Sequence, residues 1–252
     1  MSVDRRKGWF LALARRYVRG RLRRGFDGVY VAGEAQVRAA LRGPVILAAN
    51  HVAWWDALTV LLLDQRLGGD GRCLMDADNL RRLPFFAWVG ALPLDRSSPR
   101  RALADLDRGL RALDRPGRAL WIFPQGAQRP AHLRPLGLQR GVVRLARRSG
   151  APVVPVSLNY LYREAPEPTV VVAYGAPIDP GRGAALLGDL EVALERGLDQ
   201  IDAFVTRGEG DFIAALPGRR RAIEGGGAAP LLGRALALAA GERRGDGGLS
   251  RG

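Results

Sequence analysis

Residues 45–56 read VILAANHVAWWD, and this stretch determines the expected fold. Its apolar run, Val45 to Ala49, has the length and composition of a strand that is buried on both faces of a sheet. Asn50 and His51 follow at once, and Asp56 comes five positions after His51. On a continuous helix, two side chains at this spacing would point about 140° apart, so their pairing requires a turn. We therefore expect a strand, then a turn that carries a His–Asp pair, and then a helix.

Apolar runs of the same kind recur along the chain and alternate with helical patterns. Strands are predicted at 44–49, 72–75, 91–94, 119–123, 152–158 and 169–174, and helices at 57–66, 80–89, 100–113, 138–149 and 184–206. This alternation is typical of an α/β fold in which helices flank a largely parallel central sheet. In such sheets, sites form at the carboxyl ends of strands, which is where His51 is expected to lie.

Three segments with different composition give the predicted domain organisation. Residues 1–25 form a basic amphipathic helix, in which aromatic and aliphatic residues recur among arginines. This pattern fits a helix on a membrane surface and equally a helix packed on its own domain. Residues 26–215 contain the predicted sheet. Residues 216–252 are expected to hold a short helix near 230–240 and a flexible tail rich in Gly and Arg.

The composition restricts the possible partners and cofactors. The net charge is +14, from 39 basic and 25 acidic residues, and such a field attracts nucleic acid and anionic lipid surfaces alike. One cysteine and two histidines cannot form a usual structural zinc site, so we expect neither a metal nor a cofactor. No apolar run reaches about 18 residues, and Arg15 ends the first apolar stretch too early for a cleavable signal peptide. Neither a transmembrane helix nor a signal peptide is expected.

A His–Asp pair at the end of a strand suggests proton transfer. If Asp56 accepts a hydrogen bond from one imidazole nitrogen of His51, the other nitrogen is free to take a proton from a hydroxyl. The alternative is structural: His51 caps a helix or is a satisfied core histidine, and Asp56 lies on the surface.

Three further blocks follow in order at predicted strand ends: GALPLDR at 90–96, FPQGAQR at 123–129 and VVPV at 153–156. Together with a first block, NHVAWWD at 50–56, they resemble the four blocks of the glycerolipid acyltransferase family, typified by lysophosphatidic acid acyltransferase. The resemblance spans about residues 26–178. It implies a glycerol-3-phosphate acyltransferase-like fold and the transfer of a fatty acyl group from acyl-CoA or acyl-carrier protein to a lipid hydroxyl. His51 would be the general base and Asp56 its partner, with no acyl-enzyme intermediate.

The resemblance also assigns the acceptor site. Arg96 ends the second block, where the family has an arginine that grips the acceptor phosphate. The third block of the family normally reads Phe-Pro-Glu-Gly-Thr-Arg, and this chain has Gln125 in place of the glutamate. We expect Gln125, Gly126 and Arg129 to contact the acceptor, with Arg129 replacing the missing arginine. Because a glutamine loses the charge, we expect a lysophospholipid other than lysophosphatidate, a glycolipid or another lipid alcohol.

Two large aromatic residues of the first block complete the predicted site. Trp54 and Trp55 are expected to line an acyl groove or to lie at the bilayer interface. These predictions describe a peripheral protein on the cytoplasmic face of the cell membrane, held there by its charge and its first helix. Two rival functions remain: a non-catalytic lipid-binding relative, and a basic nucleic-acid-binding protein, although no nucleic-acid recognition motif accompanies the charge. No specific nucleic acid is therefore expected as a partner.

Overall fold

The computed structural model describes residues 5–218, and an eight-stranded sheet runs through this part of the chain. Its strands are β1 (Gly28–Ala32), β2 (Val45–Ala49), β3 (Asp70–Asp76), β4 (Ala91–Leu94), β5 (Arg118–Ile122), β6 (Val153–Leu161), β7 (Thr169–Tyr174) and β8 (Ile213–Pro217). They are arranged in the order β4-β3-β5-β2-β6-β7-β1-β8. Neighbours from β4 to β6 are parallel, as are β7 and β1, whereas β6–β7 and β1–β8 are antiparallel. The predicted α/β fold with a largely parallel sheet is confirmed.

Helices cover both faces of this sheet. They are α1 (Gly8–Gly25), α2 (Glu34–Ala40), α3 (Asp56–Leu67), α4 (Ala77–Arg82), α5 (Phe86–Val89), α6 (Pro99–Gly109), α7 (Gly141–Ser149) and α8 (Leu186–Arg207). Short 3₁₀ turns, Leu110–Leu113 and Pro180–Ala185, follow α6 and precede α8.

Strand β2 lies in the middle of the sheet, between β5 and β6. This central position explains why its sequence is uniformly apolar. Ile46 and Ala48 face a core formed with α6, α7 and α8. Val45, Leu47 and Ala49 face the opposite core, formed with α1, α2 and α3. All five residues are fully buried, and each contributes apolar area that water would otherwise contact. The loop after β2 therefore starts from a rigid point at the centre of the sheet.

Helix α1 has two apolar faces. Leu11, Val18 and Leu22 are buried, and the helix packs against α3 and α5. On another face, Trp9, Leu13 and Tyr17 are exposed. The helix therefore packs on the domain and also presents apolar side chains to the outside. Within residues 5–218, no helix has both the length and the apolarity that a membrane span requires.

The structure corrects several predicted boundaries. The helix predicted at 80–89 is two helices, α4 and α5, because Pro84 lacks an N–H and forces Leu83 out of the helical region. The helix predicted from residue 138 begins only at Gly141. Strands β1 and β8 and helix α2 were not predicted. Strand β8 also crosses the boundary that we placed after residue 215, while the short helix and tail expected farther on lie outside the described residues.

Candidate active site

The loop between β2 and α3 brings His51 and Asp56 together. Residues 51–55 are not helical, and α3 begins at Asp56, so the turn that the spacing required is present. The Nδ1 atom of His51 lies 2.5 Å from the Oδ2 atom of Asp56. The same oxygen accepts hydrogen bonds from the backbone N–H groups of Val52 (2.7 Å) and Ala53 (3.1 Å). With Nδ1 bound to the carboxylate, Nε2 is the nitrogen left to exchange protons.

Asp56 is completely buried, whereas the His51 side chain is 25% exposed. A buried carboxylate needs several donors to remain charged, and the loop provides three of them. A fourth comes from Tyr160, whose hydroxyl donates to Oδ1 at 2.7 Å. The structural alternative of a surface aspartate is therefore excluded by its burial.

Asn50 fixes the start of the loop to the neighbouring strand. Its side-chain Nδ2 donates to the carbonyl of Leu158 (2.9 Å), and its Oδ1 accepts from the N–H of the same residue (2.8 Å). This pair of bonds joins the end of β2 to β6 where the regular pairing of these strands has stopped at Ala49. The backbone of His51 consequently begins from a defined position.

The third block holds His51 from the other side. Gln125 accepts the backbone N–H of His51 through Oε1 (2.6 Å) and donates through Nε2 to the carbonyl of Leu136 (3.2 Å). The N–H of Arg129 donates to the carbonyl of His51 at 2.8 Å. The guanidinium of Arg129 donates to the carbonyls of Leu136 (2.6 Å) and Pro135 (3.3 Å).

These contacts give two residues of the third block a structural role. Gln125 is only 6% exposed, its amide atoms both bind protein groups, and neither Gln125 nor Arg129 lines the cavity beside His51. Their side chains position the loop, and their contact with an acceptor stays a prediction. Gly126, Ala127 and Gln128 of the same block face the cavity.

Gly126 and Arg96 meet at the cavity wall. Arg96 donates to the carbonyl of Gly126 and lies 3.4 Å from the carboxylate of Asp76. Gly126 has φ of +70°, and a Cβ atom there would lie 2.8 Å from the Arg96 guanidinium and 2.6 Å from Gln139. The backbone conformation therefore favours glycine, and a Cβ atom would also displace the ends of these two side chains.

His51 opens onto a cavity of about 1010 Å³. Its wall is mainly apolar and includes Leu58, Leu61, Met75, Leu83, Phe86, Val89, Leu94 and Leu103. The ring of Phe123 lies against the imidazole, with the ring centroids 4.5 Å apart. A volume and lining of this kind suit a flexible apolar ligand whose reactive group reaches the histidine.

The side chains of the two tryptophans of the first block have different surroundings. Trp54 is 60% exposed and lines the cavity. Trp55 turns away and packs edge to face on Phe26, with the ring centroids 5.0 Å apart, so it does not line the cavity. Its role is to pack the turn against the end of α1.

Sequence reasoning missed two charged or polar residues near the cavity. Tyr160 is the partner of Asp56, and its place at the carboxyl end of β6 was the available signal. Asp64 lines the cavity from α3, and burial raises its pKa to about 6 although Arg6 and Arg15 favour its charged form. Among residues 5–218 no cluster of three metal-ligating side chains occurs.

Comparisons with known proteins find similar sequences. A protein-family model described as Acyltransferase matches residues 28–159. The 1-acyl-sn-glycerol-3-phosphate acyltransferase of Saccharomyces cerevisiae is 33% identical over 140 residues, which cover 54% of this chain and 44% of that protein. The chloroplastic 1-acyl-sn-glycerol-3-phosphate acyltransferase BAT2 of Brassica napus is 28% identical over 120 residues, covering 46% and 33% respectively. The chain thus spans less than half the length of either relative.

The fold also has a counterpart among solved structures. The crystal structure of PlsC, the 1-acyl-sn-glycerophosphate acyltransferase of Thermotoga maritima, superposes with a TM-score of 0.58. The superposition covers 77% of this chain and 80% of that one, at 19% sequence identity. At this identity the likeness concerns the fold.

Proposed function

Because the chain belongs to the Acyltransferase family, we propose that it moves a fatty acyl group from a thioester to a hydroxyl of a lipid acceptor. The donor is acyl-CoA or acyl-carrier protein, and the acceptor is a lysophospholipid or another lipid alcohol. One observation carries the proposal: the imidazole of His51, held by the buried Asp56, opens onto a large and mainly apolar cavity.

The proposed reaction is a direct transfer. Nε2 of His51 takes the proton of the acceptor hydroxyl, and the oxygen attacks the carbonyl carbon of the thioester. The C–S bond of the resulting tetrahedral intermediate breaks, and the departing thiolate receives the proton from the imidazolium. Asp56 stabilises the positive charge that His51 carries between these steps, because its carboxylate stays bound to Nδ1.

The acceptor site is proposed to lie between Arg96 and the exposed part of the third block. Arg96 is 41% exposed at the cavity wall, and its guanidinium suits a phosphate or another anionic headgroup. Ala127 and Gln128 line the same cavity where the family pattern has a threonine and an arginine. Since this wall carries one positive charge fewer than the family pattern, we propose an acceptor other than lysophosphatidate.

A membrane surface is the proposed location of the acceptor. Trp9, Leu13 and Tyr17 form an exposed stripe on α1, with side chains 65%, 57% and 59% exposed. Trp54 is exposed beside the cavity, and the arginines of α1 complement anionic lipid. These features support a peripheral protein on the cytoplasmic face of the membrane.

Vesicle binding tests this location. We expect a Trp9→Ser, Leu13→Ser variant to sediment less with anionic vesicles than the wild type, and the loss to shrink in neutral vesicles. Val192→Ser is the matched control, because Val192 is 55% exposed on α8 and lies outside the stripe. Equal sedimentation of all three proteins would contradict the membrane assignment, and a high 260 nm absorbance of the purified protein would instead favour nucleic acid.

Radiolabelled acyl transfer tests the activity itself. Acyl-CoA and acyl-carrier protein are offered with a panel of lysophospholipids, glycolipids and lipid alcohols, and the labelled lipid is identified. His51→Ala should abolish transfer, whereas His132→Ala should retain it, because His132 is exposed and lies outside the cavity. Normal turnover by His51→Ala would refute the mechanism. No labelled product from any pair, with vesicle binding intact, would favour a non-catalytic lipid binder.

A further inference from the structure

The carboxylate of Asp56 is held at both of its oxygens, and the two sets of donors have different origins. Oδ2 accepts from the loop itself, through Nδ1 of His51 and two backbone N–H groups. Oδ1 accepts from the hydroxyl of Tyr160 at 2.7 Å. Because Asp56 is completely buried, solvent does not replace either set of bonds.

The fold places Tyr160 at this oxygen through strand β6. This strand runs beside β2 and continues beyond its end, and the double hydrogen bond between Asn50 and Leu158 fixes the two strands there. Tyr160 is two residues farther along and therefore points to the same face of the sheet as Leu158. Its ring packs against Phe26, with centroids 5.6 Å apart.

The hydroxyl of Tyr160 is a donor toward Asp56. Burial, and then the negative charge of Asp56, raise the pKa of Tyr160 well above its usual value of 10, so the proton stays on the phenol. An ionised carboxylate can only accept, which fixes the direction of the hydrogen bond. Thr59, one turn after Asp56 on α3, lies 3.2 Å from the same hydroxyl and holds it from the other side.

We propose that Tyr160 is a positioning residue for the reaction at His51. Its hydroxyl stops the Asp56 carboxylate from rotating and draws negative charge toward Oδ1, and in this way it sets the alignment of the bond from Oδ2 to Nδ1. A carboxylate released at Oδ1 can turn about its Cβ–Cγ bond and carry the bonded imidazole with it, which misplaces Nε2 relative to the acceptor hydroxyl. Tyr160 does not contact the reacting atoms. The inference rests on the transfer reaction proposed above.

Tyr160→Phe is the test, because it removes only the hydroxyl. We expect kcat to fall roughly ten- to a hundredfold, the effect of losing one hydrogen bond to a charged group, and KM to stay within about twofold. Tyr174→Phe is the matched control. Tyr174 is a buried tyrosine of the adjacent strand β7, and its hydroxyl has no hydrogen-bond partner within residues 5–218. This variant should retain the wild-type kcat.

The pH profile separates positioning from a general effect on packing. Without the phenol, Asp56 keeps more negative charge on Oδ2 and binds the imidazolium more strongly, so the acid limb of kcat/KM should move to higher pH. Among the described residues, His51 and Tyr160 are the titratable groups bonded to Asp56, and the carboxylate otherwise meets backbone N–H groups. The Tyr174→Phe profile should match that of the wild type.

Proton NMR gives a readout that does not depend on activity. The chain has 2 histidines, so a His132→Ala background leaves His51 as the source of the downfield Nδ1 proton signal. In this background, Tyr160→Phe should shift the signal downfield, and Tyr174→Phe should leave it unchanged. If Tyr160→Phe fails to fold, 3-fluorotyrosine at position 160 keeps the hydroxyl as a stronger donor and should shift the signal upfield.

The outcomes distinguish the two proposals. If the wild type transfers acyl groups, and Tyr160→Phe matches it in kcat, pH profile and NMR signal, the positioning role is overturned and the proposed function stands. If the wild type transfers nothing, the proposed function fails, and the NMR comparison alone decides whether Tyr160 holds the pair. An unchanged signal with both substitutions at position 160 overturns the inference.

Discussion

Replacing Asp56 by asparagine tests whether the charge of the buried carboxylate, and not only its shape, supports the reaction. Asparagine has the same size, and its amide oxygen can take the place of Oδ2, which accepts three hydrogen bonds from the loop. The amide NH₂ then faces Tyr160 and donates to its hydroxyl oxygen. The Tyr160 hydroxyl in turn donates its own proton to the hydroxyl of Thr59, 3.2 Å away. Every polar group keeps a partner, so we expect the Asp56→Asn protein to fold.

The energetic cost therefore falls on catalysis. A hydrogen bond to a charged group is worth about 1.5–3 kcal/mol, against about 0.5–1.5 kcal/mol for a neutral one. Three donors on Oδ2 lose this charge assistance, and the imidazolium of His51 loses its counter-charge. We expect kcat to fall about 10²- to 10⁴-fold, which is the usual contribution of a positioned general base. The free energy of unfolding should fall by about 1–2 kcal/mol.

The assay combines transfer kinetics with thermal melting. The acid limb of kcat/KM for Asp56→Asn should move to lower pH, because the neutral amide stabilises the imidazolium less. This is the direction opposite to that expected for Tyr160→Phe. Asp56→Ala is the companion variant: it leaves four donors without an acceptor and should melt at a clearly lower temperature. A folded Asp56→Asn protein with kcat within about threefold of the wild type would refute the general-base argument.

Three further predictions concern other parts of the site. Gln125→Leu leaves the N–H of His51 without its 2.6 Å acceptor and should lower both kcat and the free energy of unfolding, the latter by about 1–3 kcal/mol; unchanged values in both assays would show that the loop does not depend on this amide. Gly126→Ala introduces a Cβ atom 2.8 Å from the guanidinium of Arg96, so KM for an anionic acceptor should rise more than KM for a neutral one; an equal effect on both would place the acceptor elsewhere. Asp64 has a folded-state pKa of about 6, above its usual value of 3.8, so the wild type loses stability as pH rises between these values. The free energy of unfolding of the wild type, measured with urea, should be lower at pH 7 than at pH 4 by up to about 3 kcal/mol more than that of Asp64→Asn. The same pH dependence in both proteins would contradict the raised pKa of Asp64.

The strands could be predicted where the sheet buries them on both faces. Runs such as Val45–Ala49 and residues 170–173 are apolar throughout because successive residues face the two cores in turn. Strand β8 gave no such signal, because three of its five residues are exposed at the edge of the sheet. Strand β1 was missed for a different reason: it has five residues, begins with a glycine, and follows directly on the first helix.

The His–Asp pair could also be predicted, because it depends on local geometry alone. A spacing of five residues excludes pairing on a continuous helix, and the loop resolves this with a turn that ends at Asp56. The third block is different. Its position in the chain could be recognised, but the direction of each side chain depends on how residues 123–139 fold back onto His51. Sequence resemblance identifies such a position, and it does not show whether the side chain faces the cavity or the protein.

This distinction explains how the pair remains intact although the third block diverges. Position 125 must present an acceptor to the N–H of His51, and the Oε1 atom of glutamine does so at 2.6 Å. Its amide nitrogen adds a donor for the carbonyl of Leu136, which a carboxylate could not provide. The change from glutamate to glutamine is therefore compatible with a fixed His51. Changes in acceptor choice are then to be sought at Ala127 and Gln128, whose side chains face the cavity.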